Sequence, residues 1–168
     1  DLDKLVSKDE IHKFGRTYHF NAIAMNKTGL KNLFKIISLA NTTYLYKSPR
    51  ILRSKLNELR EGLLIGSGCY ESEVFIEARS KEGEELTNII NFYDYVEVQP
   101  PEVYGHLIQT SDFKNEEELK THINKIVDAT KEAGKIMVAT GDVHHFKRED
   151  KIYREIIVNQ KVPGGGRH

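Results

Sequence analysis

The run Ala139-Thr-Gly-Asp142-Val-His144-His145 carries the sharpest chemical signal in the sequence. In an extended backbone, residues i and i+2 project to the same side, so Asp142 and His144 are expected to point together. They follow an apolar stretch, Ile136 to Thr140, at its C-terminal end, where α/β sheets and barrels gather their sites. A carboxylate beside an imidazole can hold one divalent metal. The plainer reading is that Asp142 caps a following helix while His144 packs or meets solvent.

Three further residues have suitable chemistry but stand alone. Cys69 ends the run Leu63-Leu-Ile-Gly-Ser-Gly-Cys69. It is either a small buried hydrophobe or a thiol exposed to a cavity by a turn at the two glycines. Gly66-Ser-Gly68 is not a phosphate loop, because the Gly-Lys-Ser/Thr ending is missing. His19 lies in Thr17-Tyr-His-Phe-Asn-Ala-Ile-Ala24, where it is a structural histidine or a ligand. Glu97, in Tyr95-Val-Glu-Val98, is a base, an ion-paired structural group or a carboxylate that supports a metal ligand from behind. His12, His106, His122 and His168 sit in polar or helical contexts and read as solvated. If the strands run parallel with their C-terminal ends in one rim, His19, Cys69, Asp142 and His144 can converge, although His19 comes early in its strand. Thiolate and imidazole donors favour zinc, and also iron or manganese in mixed sites, over magnesium.

The elements that must position these groups follow from hydrophobic spacing. Apolar runs at Tyr18–Met25, Leu63–Ile65, Tyr95–Val98 and Ile136–Thr140 predict four strands. The last is continuously apolar, as expected of a strand covered on both faces. Leu30, Leu33, Phe34 and Ile37 fall at helical spacing, with Thr28 as the expected N-cap. Asn115-Glu-Glu-Glu118 reads as an Asn-capped start before Leu119, Ile123, Ile126 and Val127, with Gly134 at the C-terminal stop. A third helix is expected over Glu73–Asn91, broken near Gly83, and a fourth over Asp150–Val158. The stretch Asn41–Ile51 is expected to be irregular; its Lys47 and Arg50 beside Tyr44 and Tyr46 suit a solvated loop better than a nucleic-acid contact. Alternating strands and helices predict an α/β fold with right-handed crossovers and a largely parallel sheet.

Composition narrows the class. The 168 residues carry 25 Lys+Arg against 25 Asp+Glu, a net charge of zero that argues against a free-standing nucleic-acid binder. With 39% hydrophobic and 30% charged residues the chain is not of the disordered type. No apolar run approaches the roughly 20 residues of a membrane helix, so no membrane partner is expected. The single cysteine cannot form an internal disulfide, which points to the cytoplasm. The polar start at Asp1 and the Gly-rich end Val162-Pro-Gly-Gly-Gly-Arg-His168 suggest a piece of a longer polypeptide.

Several motifs, in order, resemble one family. Asn26-Lys-Thr-Gly-Leu-Lys-Asn-Leu33, Gly62-Leu-Leu-Ile-Gly-Ser-Gly-Cys69, Phe92-Tyr-Asp-Tyr-Val-Glu-Val-Gln-Pro-Pro101 and Val138-Ala-Thr-Gly-Asp-Val-His144 look like the PHP (polymerase and histidinol phosphatase) domain of bacterial DNA polymerase III alpha subunits. Glu149-Asp-Lys-Ile-Tyr153 and the double proline point to the PolC type. The resemblance implies part of a distorted (βα)7 barrel whose metal cluster sits at the strand C-termini. By motif matching it assigns His19, Cys69, Asp142 and His144 to the later metal ligands, with zinc first and manganese or iron as alternatives; the motifs of the earlier ligands do not occur here. It also implies that residues 1–15 are a junction after an inserted exonuclease domain and that residues 16–168 are the C-terminal part of the PHP domain. The parent would be a replicative DNA-directed DNA polymerase, a nucleotidyltransferase using magnesium elsewhere in its chain. Its partners would be DNA, deoxynucleotides, the exonuclease and polymerase core of the same chain, and replisome components such as the sliding clamp. The segment alone would be inactive, its metal site structural or phosphoesterase-like. The alternative is a stand-alone PHP-family metal-dependent phosphoesterase.

Overall fold

The structure, a computed structural model, describes residues 15–161. His12, His168 and nearly all of the expected junction lie outside the described residues. Within them the chain is α/β. The strands are β1 (Asn21–Ala24), β2 (Leu63–Gly66), β3 (Tyr95–Val98) and β4 (Ile136–Ala139), ordered β1-β2-β3-β4 in one sheet. The helices are α1 (Lys27–Asn41), α2 (Arg53–Glu58), α3 (Glu73–Glu77), α4 (Gly83–Asn91), α5 (Gly105–Gln109), α6 (Glu116–Glu132) and α7 (Lys151–Val158). The expected break in the third helix is real: α3 and α4 are separate, and Gly83, at a φ of +53°, is the first residue of α4.

Local signals explain most boundaries. Asn115 Oδ1 accepts the Glu118 amide at 2.9 Å and starts α6, and Gly134 follows its last turn at a φ of +65°. Replacing Asn115 with alanine is expected to cost about 1 kcal/mol, read as a lowered urea midpoint with an unchanged slope. In α1 the cap is Asn26 rather than Thr28: its Oδ1 accepts the Gly29 amide at 2.9 Å. The helix starts earlier than apolar spacing indicates because Asn, the stronger cap, stands two residues upstream.

The sheet is largely parallel, as expected, with one exception at its edge. β2, β3 and β4 are parallel, but β1 pairs antiparallel with β2, with Asn21 opposite Gly66 and Ala24 opposite Leu63. A crossover helix would return the chain to the start of a parallel neighbour; here α1 leads out and residues 42–62 lead back, so the excursion closes where it began. Its neck is tight. The Met25 amide donates to the Gly62 carbonyl at 2.9 Å, Asn32 Nδ2 donates to the Glu61 carbonyl at 3.0 Å, and Gly29 lies directly against Gly62.

The core gathers Ile65 and Val96 from the sheet with Val74, Leu86, Ile90, Leu119 and Ile126 from α3, α4 and α6. Two expectations fail at its margins. β4 is not covered on both faces: Ile136 is 68% exposed, and Met137 and Val138 are also open, because β4 is the sheet's edge strand among the described residues. His122 is not solvated but buried on α6, its ring 4.6 Å from Phe75 and 5.1 Å from Phe113. Nε2–H of His122 meets the Phe75 carbonyl at 2.9 Å, which is why an α6 position of mixed surroundings tolerates an imidazole inside. His106 is exposed, as read, its ring edge-on to Tyr70.

Candidate metal centre

The reversal of β1 builds the site. Because β1 runs against β2, its N-terminal end lies beside the C-terminal end of β2, and the early position of His19 becomes the position that meets Cys69. His19 stands two residues before β1. Its amide donates to the Glu71 carbonyl at 3.0 Å, a bridge that lays residue 19 alongside the turn after β2. That turn begins at Gly68, whose φ of +84° suits glycine. It closes by a Ser72 N–H to Cys69 carbonyl bond of 3.0 Å, and Ser72 Oγ then caps α3 by accepting the Phe75 amide.

Three donor atoms meet there. Cys69 Sγ lies 3.7 Å from His19 Nδ1, and His19 Nδ1 lies 3.0 Å from Glu71 Oε2. All three lie within 4.8 Å of one another. Ligands around a tetrahedral zinc at about 2.0–2.3 Å are separated by about 3.3–3.8 Å, so the sulfur and nitrogen at 3.7 Å have that spacing, while His19 Nδ1 and Glu71 Oε2 at 3.0 Å stand at hydrogen-bond distance. Burial pushes the Cys69 thiol above its ordinary range, with the Glu71 and Asp142 carboxylates pushing the same way against bonds to backbone. The thiol must give up that proton to ligate a cation.

Asp142 shares the cavity of about 1010 Å³ that His19 and Cys69 line, together with Glu97, Gln99 and Thr140. Its backbone is left-handed, φ +49°, and directs the chain away from β4. Asp142 and His144 are neighbours, but not by the extended spacing read from sequence. The His144 Nδ1 lies 2.6 Å from the Asp142 carbonyl oxygen and 3.8 Å from its Oδ2. His144 is exposed and is not among the residues that line the cavity. The structure thus brings His19, Cys69 and Asp142 to one cavity and leaves His144 at Asp142's side.

Glu97 makes no ion pair among the described residues. It is gripped by neutral donors: Asn21 Nδ2 reaches Oε1 across the small residues at the end of β2, Thr140 Oγ1 donates to Oε2 at 3.3 Å, and its own amide donates to Ser67 Oγ at 2.9 Å. It therefore ties β1, β3 and the end of β4 together at the edge of the site. The residue that sequence reasoning missed is Glu71. Its signal was present: Cys69 and Glu71 share the i, i+2 spacing that singled out Asp142 and His144.

Comparison with known proteins now bears on this geometry. The model of the PHP domain matches residues 4–138. The chain belongs to the PHP domain family. It is 45% identical over 161 residues to "DNA polymerase III PolC-type" of Bacillus subtilis, 46% over 156 residues to that of Lactococcus lactis and 40% over 160 residues to that of Bacillus cereus. These alignments cover 96%, 93% and 95% of this chain but 11%, 10% and 11% of the relatives. The PHP segment described here therefore spans about a tenth of the length of the curated relatives it matches. Among the described residues no helix is long and apolar enough to cross a membrane.

Proposed function

We propose that this PHP segment supplies part of a metal centre within a replicative DNA polymerase of the PolC type. The observation that carries the reading is the meeting of Cys69 Sγ, His19 Nδ1 and Glu71 Oε2 beside Asp142, from segments far apart in sequence. Thiolate, imidazole and carboxylate together fit zinc first, with manganese or iron as the alternatives. His19 and Cys69 would hold the ion, and Asp142 with His144 would approach from the β4 side. When bound, a divalent ion there supplies Lewis acidity toward a phosphate oxygen. The chain's own residues do the positioning: Glu97 clamps the strand ends, and the Gly68 turn aims the thiol.

The donors seen here are a partial set, which favours a role in holding the domain together and bracing the polymerase over an independent hydrolytic reaction. DNA, deoxynucleotides and the other replisome components are partners through the longer chain, where nucleotidyl transfer and proofreading take place. The open β4 edge and the exposed Ile136, Met137 and Val138 support this reading, since such a strand needs cover from elsewhere in the protein.

The test is metal analysis of the full-length protein carrying Cys69→Ser or His19→Ala. Each is expected to lose at least one bound metal equivalent and to melt at a lower temperature. Asp142→Ala separates the roles: a lower melting temperature with every activity intact supports bracing, whereas loss of a phosphoesterase activity at unchanged stability supports hydrolysis. Unchanged metal content in both ligand variants would refute the assignment.

A further inference from the structure

The outer face of α1 carries a groove that the metal reading does not use. Together α1 and α2 form a shallow depression of about 810 Å³. Its floor is apolar: Leu30 and Phe34, one helical turn apart, are 47% and 62% exposed, and Leu39 and Leu59 extend it. Its rim is basic. Lys27, Lys31 and Lys35 follow at four-residue spacing, and none makes an ion pair among the described residues. A fourth cation, Lys55, is bonded to Glu58, the one carboxylate of the lining. α1 itself has no acidic residue, although the chain as a whole is neutral. Helix stability does not explain these lysines. Cations are unfavourable in a first turn and favourable in a last one, yet Lys27 opens α1 and its last turn has no basic residue. Exposed large apolar side chains beside unpaired like charges mark a surface for something of opposite charge.

We propose that this groove docks an acidic amphipathic helix of the same longer polypeptide. Charge and register select the occupant. Lys27 to Lys35 covers about 12 Å of helix axis. A partner helix of about three turns, with carboxylates one turn apart, meets the three cations in step while its aliphatic residues at i and i+4 lie over Leu30 and Phe34. A nucleic-acid strand fits less well: the lysines suit phosphates, but successive bases need stacking rings, and Phe34 is the one ring in the lining. The source follows from scale. The alignment with the Bacillus subtilis relative covers 11% of that protein, so in a parent of that length most of the chain is tethered to this groove and reaches it at a raised effective concentration. The proposal rests on the longer parent of the reading above and not on its metal.

The test is zero-length carbodiimide cross-linking of the full-length protein, which joins lysine amines to carboxylates in contact with them, read by peptide mass spectrometry. Links are expected from Lys31 and Lys35 to Asp or Glu residues outside residues 1–168, spaced three or four apart. Mixing isotope-labelled with unlabelled protein should show that they form within one molecule. The triple variant Lys27→Glu, Lys31→Glu, Lys35→Glu changes only exposed side chains and should fold as the parent does. In it, hydrogen exchange of the linked segment is expected to rise at least about tenfold, because like charges then face one another. Replacing that segment's linked carboxylates with lysine in the triple variant should restore protection. No link to a carboxylate outside these residues would overturn the proposal, as would unchanged exchange in the triple variant. Links formed only between molecules would assign the face to a second copy instead, and protection of α1 by a single-stranded oligonucleotide, lost in the triple variant, would assign it to nucleic acid; either result overturns it. Cys69→Ser is expected to leave the links in place. Metal lost from the parent with links intact would sink the metal assignment alone, and links absent with metal retained would sink this proposal alone.

Discussion

Gly29→Ala is expected to destabilise the sheet by at least about 3 kcal/mol, since its added Cβ makes the shortest clash of any described glycine. A Cβ at residue 29 would stand 1.8 Å from the Gly62 carbonyl oxygen and 2.5 Å from its carbon. Neither partner can step aside. The Gly62 oxygen is held by the Met25 amide, and the Gly29 amide is held by Asn26 Oδ1. Gly62 is itself at a φ of +75°, with Asn26 Oδ1 and the Gly29 nitrogen where its own Cβ would go. The measurement is hydrogen exchange of the β1 and β2 amides in the full-length protein, which should lose protection by two or more powers of ten. Gly105→Ala is the control: nothing lies within 4 Å of its added Cβ, and at an ordinary helical φ it should leave the same amides unchanged or slightly better protected. Equal protection in the two variants would show that the Gly29–Gly62 contact does not hold the strands together.

Acid sensitivity between pH 6.5 and 4 is expected to trace to His122. Burial lowers its pKa from 6.5 to about 4, with the Arg79 and Lys125 cations adding to the effect and the Phe75 carbonyl opposing it. The sign follows from the neutral folded form. Above pH 6.5 the imidazole is neutral whether the chain is folded or not, and its contribution is fully present. As pH falls below 6.5 the unfolded chain takes up a proton that the folded one resists, so stability declines until about pH 4, where the folded ring also protonates. The gap corresponds to a loss of up to about 3 kcal/mol. His122→Gln keeps a donor for the Phe75 carbonyl without a titrating group. Its melting temperature should therefore fall less than that of the parent between pH 7 and 4.5, and parallel curves would exclude His122 as the source.

Both residues show where sequence reading reaches its limit. Strand and helix positions were legible because burial imposes a period on apolar residues, and Asn115 and Gly134 marked the ends of α6 through local bonding alone. Cys69, His19 and Asp142 were legible as candidates because few side chains can bind a metal. The parallel run of β2, β3 and β4 was legible too, but the reversal of β1 was not, since it goes with Gly29 meeting Gly62 across more than thirty residues, and no local periodicity encodes that. The same limit hid His122, whose burial is decided by Phe75 and Phe113, and the exposure of Ile136, which looks like a core residue until its neighbours are placed. Glu71 was hidden differently: it is an exposed acid among many, notable only once His19 is laid beside it.

The excursion between β1 and β2 also behaves as a lever. It is clamped at the end of the sheet remote from the metal donors, while its far portion, from Ala40 through Arg50 to Arg53, forms a wall of the cavity. From Gly29 to Asn41 the helix spans about 18 Å, so a tilt of about 5° at the clamp swings that wall by about 1.6 Å. The width of the cleft lined by His19 and Cys69 is thus coupled to a glycine contact at the opposite pole of the sheet, and a change there would be felt at the cleft without touching either side chain.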